Sequence, residues 1–319
     1  MNDIIVNGMA FSLPLFIIAV GGIYSERSGV TNLALEGFQG AGAFFGALFV
    51  TLTSSMFAAT SQLPMYLALV VAMAGGALYA VIHAVLCIKF KANQVISGVV
   101  VNILAMALTD FLTSQINTGV LGQSSDKFVL TVSGRWTIQP LASIPVIGGF
   151  FTNVYPFELI IIVVALVAWY AMYRTRFGMR LRACGDNPYA VDAAGCNVAR
   201  LQFSAVLISG ALSGLGGMCF AYSVFGNYST SIYTGYGYLA IAAMIFGNWK
   251  IPQTLGACFL FGFARAAGYA LVQKLGMPST YSDLIMILPY ALTLLLLVFF
   301  SKNNRAPRAL GEIYDKGKR

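Results

Sequence analysis

Long uncharged stretches alternate along this chain with short knots of charge. Asp, Glu, Lys and Arg are all absent from 4–25, 37–88, 92–109, 201–249, 251–264 and 284–301. A helix rises about 1.5 Å per residue, so roughly 20 apolar residues cross a hydrocarbon core of about 30 Å. The stretches 37–88 and 201–249 are each long enough for two crossings. Segments such as 157–173 and 284–300 lack the every-second-residue polarity of a barrel strand, which has one face in an aqueous lumen. A helix satisfies its own backbone in lipid, so the pattern predicts an all-α polytopic bundle. The expected spans are 8–24, 36–56, 64–88, 93–116, 156–173, 201–224, 236–249, 252–273 and 283–301, in a bundle of about eight to ten crossings. Segment 236–249 is short and flanked by Gly235, Gly237, Gly247 and Pro252. It reads as a full span or as a re-entrant or broken helix, an interruption of the kind that marks a substrate path in transporters.

Charge gives the bundle a direction. Basic residues gather at Lys89 and Lys91, at Arg174, Arg176, Arg180, Arg182 and Arg200, and from Lys302 to Arg319. The positive-inside rule places all three groups in the cytoplasm. Residues 117–155 are then the one long outer loop, an ordered or partly ordered cap. The only charge before Glu26 is Asp3, whereas a secretory signal opens on a positive region. The first run is therefore read as a retained span with its amino terminus outside. Residues 1–301 form one membrane domain and 302–319 a basic cytoplasmic tail.

Composition agrees with that class: 58% of the 319 residues are hydrophobic, 9% are charged, and the mean hydropathy is +0.78. Soluble domains carry about a quarter charged residues. The net charge of +8 is accounted for by basic cytoplasmic flanks, with no nucleic-acid partner required.

Several chemistries are excluded. His83 is the only histidine, so HExxH cannot occur, and a Ser–His protease would have to use that residue. No Lys is followed by Ser or Thr, so there is no GxxxxGK[ST] phosphate loop and no ATP binding by that device. No DDxxD-type motif is present for a metal-dependent transferase. Cys87, Cys219 and Cys258 fall in expected spans, Cys184 and Cys196 in a cytoplasmic loop, and neither a disulfide nor a zinc site is expected. The 33 glycines, among them the pairs Gly42/Gly46 and Gly210/Gly214, suit close helix packing in lipid.

Polar groups inside the spans are costly and so carry more information. Glu36, Asn102, Asp110, His83 and Arg265 are the main cases. Glu36 follows Asn32 in a stretch broken by Gly29 and Gly37, a break expected to turn backbone groups toward a cavity. His83 is read as a satisfied packing residue. In the loop 174–200, Asn187 or Asp186 is a natural N-cap, Pro188 suits the first helical position and Gly195 ends the element. The result is a two-turn helix outside the membrane, shaped to dock on a soluble partner.

Two motifs carry a family resemblance. The run 26–37, ERSGVTNLALEG, resembles the opening motif of permeases in bacterial nucleoside and simple-sugar ABC importers, and 178–197, GMRLRACGDNPYAVDAAGCN, is similar to their cytoplasmic loop. Segments 209–217 and 235–256 also match, so the likeness covers nearly the whole chain. Cys184 and Cys196 depart from it, standing where aliphatic or small residues are commoner. The resemblance implies a type II-like permease in the bacterial inner membrane, paired with a second homologous permease. It also implies an ATPase subunit that holds ATP and Mg, and an extracellular nucleoside-binding lipoprotein. The chain itself would hold no cofactor and catalyse no reaction. By the same analogy the helix 188–194 is the coupling helix, with Arg182, Asp186, Asn187, Pro188 and Asp192 as the ATPase-coupling residues. Asn32, Glu36, Asn102, Tyr236 and Tyr238 are candidates for the path of a neutral, polar cargo. The alternatives are a simple-sugar permease and an ion-coupled secondary transporter.

Overall fold

Apolar runs without alternation become helices wherever lipid or protein covers every side. The computed structural model describes residues 2–57, 61–130, 134–144, 148–276, 278, 287–292, 295 and 305–317. The membrane helices are α1 (Asn2–Arg27), α2 (Leu35–Thr53), α3 (Leu63–Ala84), α4 (Gln94–Gly119), α6 (Pro156–Arg174), α9 (Val198–Phe220) and α11 (Ile251–Lys274). A π-helical turn extends each of α3 and α9, at Val85–Lys89 and Ala221–Phe225. Between the long helices lie α5 (Gln139–Ala142), α7 (Arg176–Asp186), α8 (Pro188–Ala193) and α10 (Tyr236–Phe246). Seven of the described helices are long and apolar enough to cross a bilayer. The span expected at 283–301 lies outside the described residues apart from 287–292 and 295.

α1 is the axis of the bundle. Leu15, Ile17, Ile18, Ala19 and Val20 are all fully buried, so every face of that helix is covered by protein. α4 and α6 instead keep one apolar face exposed, through Ile96, Ile103 and Phe111 and through Val163, Leu166 and Val167. Such faces suit lipid. Since lipid supplies no hydrophobic pull between helices, packing comes from close backbone approach. A Cβ on Gly42 would strike Gly214, one on Gly214 the Ala72 carbonyl, and one on Gly76 the Gly210 carbonyl. The helices α2, α3 and α9 therefore meet backbone to backbone along one seam.

Two parts of the chain outside the long helices carry structure of their own. α4 runs to Gly119, and the loop beyond it holds β1 (Phe128–Val129), which pairs antiparallel with β2 (Asn227–Tyr228) ahead of α10. A Trp136–Val154 bridge closes the same loop. The described part of the tail, 305–317, lies folded against the end of the bundle that carries Lys91 and the arginines of α7, called here the basic end.

Candidate functional site

The first cluster forms where α1 ends and α2 begins. Asn32 closes a local turn by accepting from Ala34 N–H at 3.0 Å, and its amide donates to Ser209 Oγ at 2.9 Å. Glu26 accepts from the Trp249 indole at 2.6 Å and from Asn32 N–H at 3.4 Å. Asn102, reaching in from α4, accepts from Gly37 N–H at 2.7 Å and donates to the Leu33 carbonyl at 2.7 Å. One side chain thus satisfies a donor and an acceptor that the helix break leaves open, which is what backbone polar groups at a helix start require in lipid. His83 sits below, its ring nitrogens 2.9 Å from Ser97 Oγ and 3.3 Å from the Thr31 carbonyl oxygen. It is fully buried, with both ring nitrogens near a partner.

The second cluster is the start of α10. This helix has 11 residues and so is about 16 Å long, roughly half a hydrocarbon core. A 3-10 turn, Thr230–Tyr233, leads into it, and Gly235 makes the bend with φ +89. The short expected segment 236–249 is therefore a half-helix that ends at Phe246. Glu36 caps it from a neighbouring helix, accepting from Gly235 N–H at 2.8 Å with the N–H groups of Gly237 and Tyr238 also turned to its carboxyl. A negative group at a helix N-terminus meets unpaired N–H donors and the positive end of the dipole. Gly237 is required there, because a Cβ would strike the Glu36 backbone.

Tyr236 and Tyr238 point apart. The hydroxyl of Tyr236 is buried and accepts from Arg265, whose guanidinium lies 4.4 Å from the centre of the Phe11 ring. Tyr238 is 43% exposed, and its hydroxyl accepts from the Asn102 amide at 3.2 Å. In the turn that leads into α10, Thr230 donates to the exposed Asp110 carboxylate at 3.0 Å, and the Tyr233 hydroxyl lies 3.3 Å from that of Thr109. Glu36, Asn102 and Tyr238 thus meet at the start of α10, Asn32 lies in the adjoining α1–α2 break bonded to Ser209, and Tyr236 faces a separate cationic and aromatic pocket. Sequence reasoning missed Gln39, one turn beyond Glu36. Its fully buried amide has no hydrogen-bond partner among the described residues. Its apolar neighbours hid it. Among the described residues no cluster of three His, Cys, Asp or Glu could hold a metal.

The third feature stands at the basic end. Asn187, rather than Asp186, caps α8 by accepting from Ala190 N–H at 3.0 Å, Pro188 occupies the first turn, and Gly195 follows with φ +79. Asp186 and Asn187 are exposed, whereas Pro188 is buried. Asp192 lies 3.9 Å from Lys316. Arg182 stays close to its own helix, donating to the Gly178 carbonyl at 3.3 Å with its guanidinium 5.4 Å from the Tyr173 ring. The arginine-rich approach to α8 is itself a helix, α7, capped by Thr175. Gly178, Leu181, Cys184 and Gly185 fall on its buried face, a 3–4 residue spacing that was the legible signal for it. Burial pushes the Cys184 thiol up to about 12.

The chain matches the family model described as "Branched-chain amino acid transport system / permease component" over residues 4–298. It is 36% identical over 319 residues to the nucleoside ABC transporter permease protein NupC of Lactococcus lactis, covering 100% of this chain and 98% of that protein. It is 37% identical over 315 residues to the guanosine ABC transporter permease protein NupQ of Bacillus subtilis, covering 98% and 96%. A glucose ABC transporter permease protein, TsgB13 of Haloferax volcanii, is 29% identical over 287 residues, covering 87% and 72%. No solved structure matches the chain.

Proposed function

The chain belongs to the family of permease components of branched-chain amino acid transport systems, and from that premise we propose that it is the membrane-spanning subunit of an ATP-driven nucleoside importer. The observation that carries the cargo is full-length identity of 36–37% to two permeases named for nucleoside and guanosine. The more distant glucose permease keeps simple sugars as the second reading.

In this reading ATP and Mg sit on a separate ATPase subunit, a second permease completes the pore, and an extracellular lipoprotein delivers the cargo. The basic end is cytoplasmic, as the positive-inside rule requires, and so is the carboxyl-terminal segment. The α7–α8 junction presents Asp186 and Asn187 to the ATPase, with Pro188 and Asp192 holding α8 in place and Arg182 bracing the approach. ATP binding moves α8, and the bundle passes from outward to inward access. Tyr238, which is partly exposed beside Asn102, offers hydroxyl and aromatic contacts to a neutral base and ribose. Asn32, Glu36 and Asn102 shape that wall by fixing the two helix breaks, and Tyr236 supports it from behind. Weak, uncharged contacts favour passage over trapping.

The test is uptake of radiolabelled nucleoside into vesicles holding the whole complex. Uptake that needs ATP on the cytoplasmic side, survives collapse of the proton gradient, and is competed by nucleosides but not by glucose or ribose supports the proposal. Uptake that follows the gradient defeats it, and competition by sugars alone moves the cargo to the second reading.

A further inference from the structure

Residues 305–317, expected only as a basic tail, cross the basic end and tie three segments together. Ala309 N–H donates to the Gly185 carbonyl at 2.8 Å, and Gly311 N–H donates to the Gly29 carbonyl at 3.0 Å. Gly185 lies flush on the end of α1, since a Cβ there would strike the Arg27 carbonyl and come within 3.3 Å of Gly29 N. So the last turn of α7, the end of α1 and the carboxyl-terminal segment meet at one junction. Pro307 and Ala309 are buried in it. Arg305 N–H also donates to the Asn248 side chain at 2.9 Å, just beyond α10.

The same segment then reaches α8. The Tyr314 ring lies 5.3 Å from that of Tyr189, and it packs on the small separate core of Cys184, Val191 and Val198. Asp315 pairs with Lys91 at 2.8 Å, and Lys316 lies 3.9 Å from Asp192. Surface ion pairs of this kind hold weakly, so the backbone bonds and Tyr314 do most of the fixing.

We infer that residues 305–317 are a strut that positions α8 against the α1–α2 break, with Ala309, Gly311 and Tyr314 as positioning residues for coupling. This rests on the importer reading above. α8 has only six residues and is about 9 Å long, and its own core is a handful of side chains. A push on so short an element would be taken up by its loops unless something stiff linked it to the bundle, and coupling travels through contiguous packed and hydrogen-bonded structure. The strut supplies that link, and its far contact is Gly29, three residues before Asn32. Gly311 is suited to the junction by its φ of +81, a conformation that side chains with a Cβ disfavour.

The experiment uses the full permease–ATPase complex with a spin label on α8, introduced as Ala193→Cys, an exposed position that leaves the Tyr189–Tyr314 contact in place, in a Cys196→Ser background. Two variants are compared with this parent: a chain ending at residue 304, and the full chain with Gly311→Val. The expected result is at least twofold faster label motion in both. Nucleoside taken up per ATP hydrolysed should fall at least tenfold while the ATPase still co-purifies. Unchanged label motion overturns the strut whether or not the parent transports nucleoside, which separates its failure from that of the importer reading. Faster motion with an unchanged ratio of uptake to ATP overturns the coupling role, and loss of the ATPase from the complex would make the segment a docking element instead.

Discussion

Asn102 is the residue on which most of the buried network converges. It holds Gly37 N–H, the Leu33 carbonyl and the Tyr238 hydroxyl at once. Truncating one partner of a buried hydrogen bond leaves the other unsatisfied, at about 1–3 kcal/mol per group. Asn102→Ala is therefore expected to lower the unfolding temperature of the detergent-solubilised protein and to cut uptake at least tenfold. A variant with parental melting and uptake would show that the break holds itself. The sequence marked Asn102 because an amide in a hydrocarbon run needs a reason. It did not mark its partners, two of which are backbone groups 69 and 65 residues away. The two loop cysteines differ in the same way. Cys184 is buried and its thiol is pushed up to about 12, whereas Cys196 is half-buried. A raised thiol pKa favours the folded state while the unfolded thiol is still neutral. That contribution is complete below about pH 9 and fades as the pH climbs toward 12. At pH 8 a maleimide is expected to label Cys196 in native vesicles and Cys184 only after denaturation. Equal labelling would mean that α7 does not pack as described.

Among elements, α8 was the most legible and α7 the least. The Asn–Pro start and glycine stop of α8 are local signals, satisfied within a few residues, so spacing alone located it. α7 carries three of the chain's arginines, which masks a buried face that only neighbouring segments complete. Losing an Asn cap typically costs about 1 kcal/mol, and a six-residue helix has little else to hold its first turn. Asn187→Ala is expected to lower nucleoside uptake per ATP several-fold while leaving the seven long helices intact by circular dichroism. Unchanged coupling would show that the first turn of α8 need not be ordered. α10 was half legible. Glycines around 236–249 announced an interruption, but the carboxylate that caps it comes from Glu36 in another helix, 199 residues distant.

For the whole molecule, the seam of Gly42, Gly76, Gly210 and Gly214 is the main packing device of α2, α3 and α9. Gly214→Val would drive a side chain into the Ala72 backbone. Overpacking of this kind costs about 1–3 kcal/mol where side chains can yield, and more is expected against backbone. The variant should reach the membrane poorly and melt well below the parent in detergent, whereas normal melting would mean that the seam opens readily. That the chain crosses a bilayer many times as helices, which end is basic, and where a capped knob interrupts the spans can all be read from the order of its residues. Those properties depend on transfer into lipid and on backbone groups a few residues apart, so they can be read along the chain. That Glu36 caps α10, that Asn102 closes the α1–α2 break, and that the tail ties α7 to Gly29 emerges once the helices are packed. Each of these joins groups far apart in sequence whose chemistry is ordinary until packing brings them within hydrogen-bond reach and excludes water.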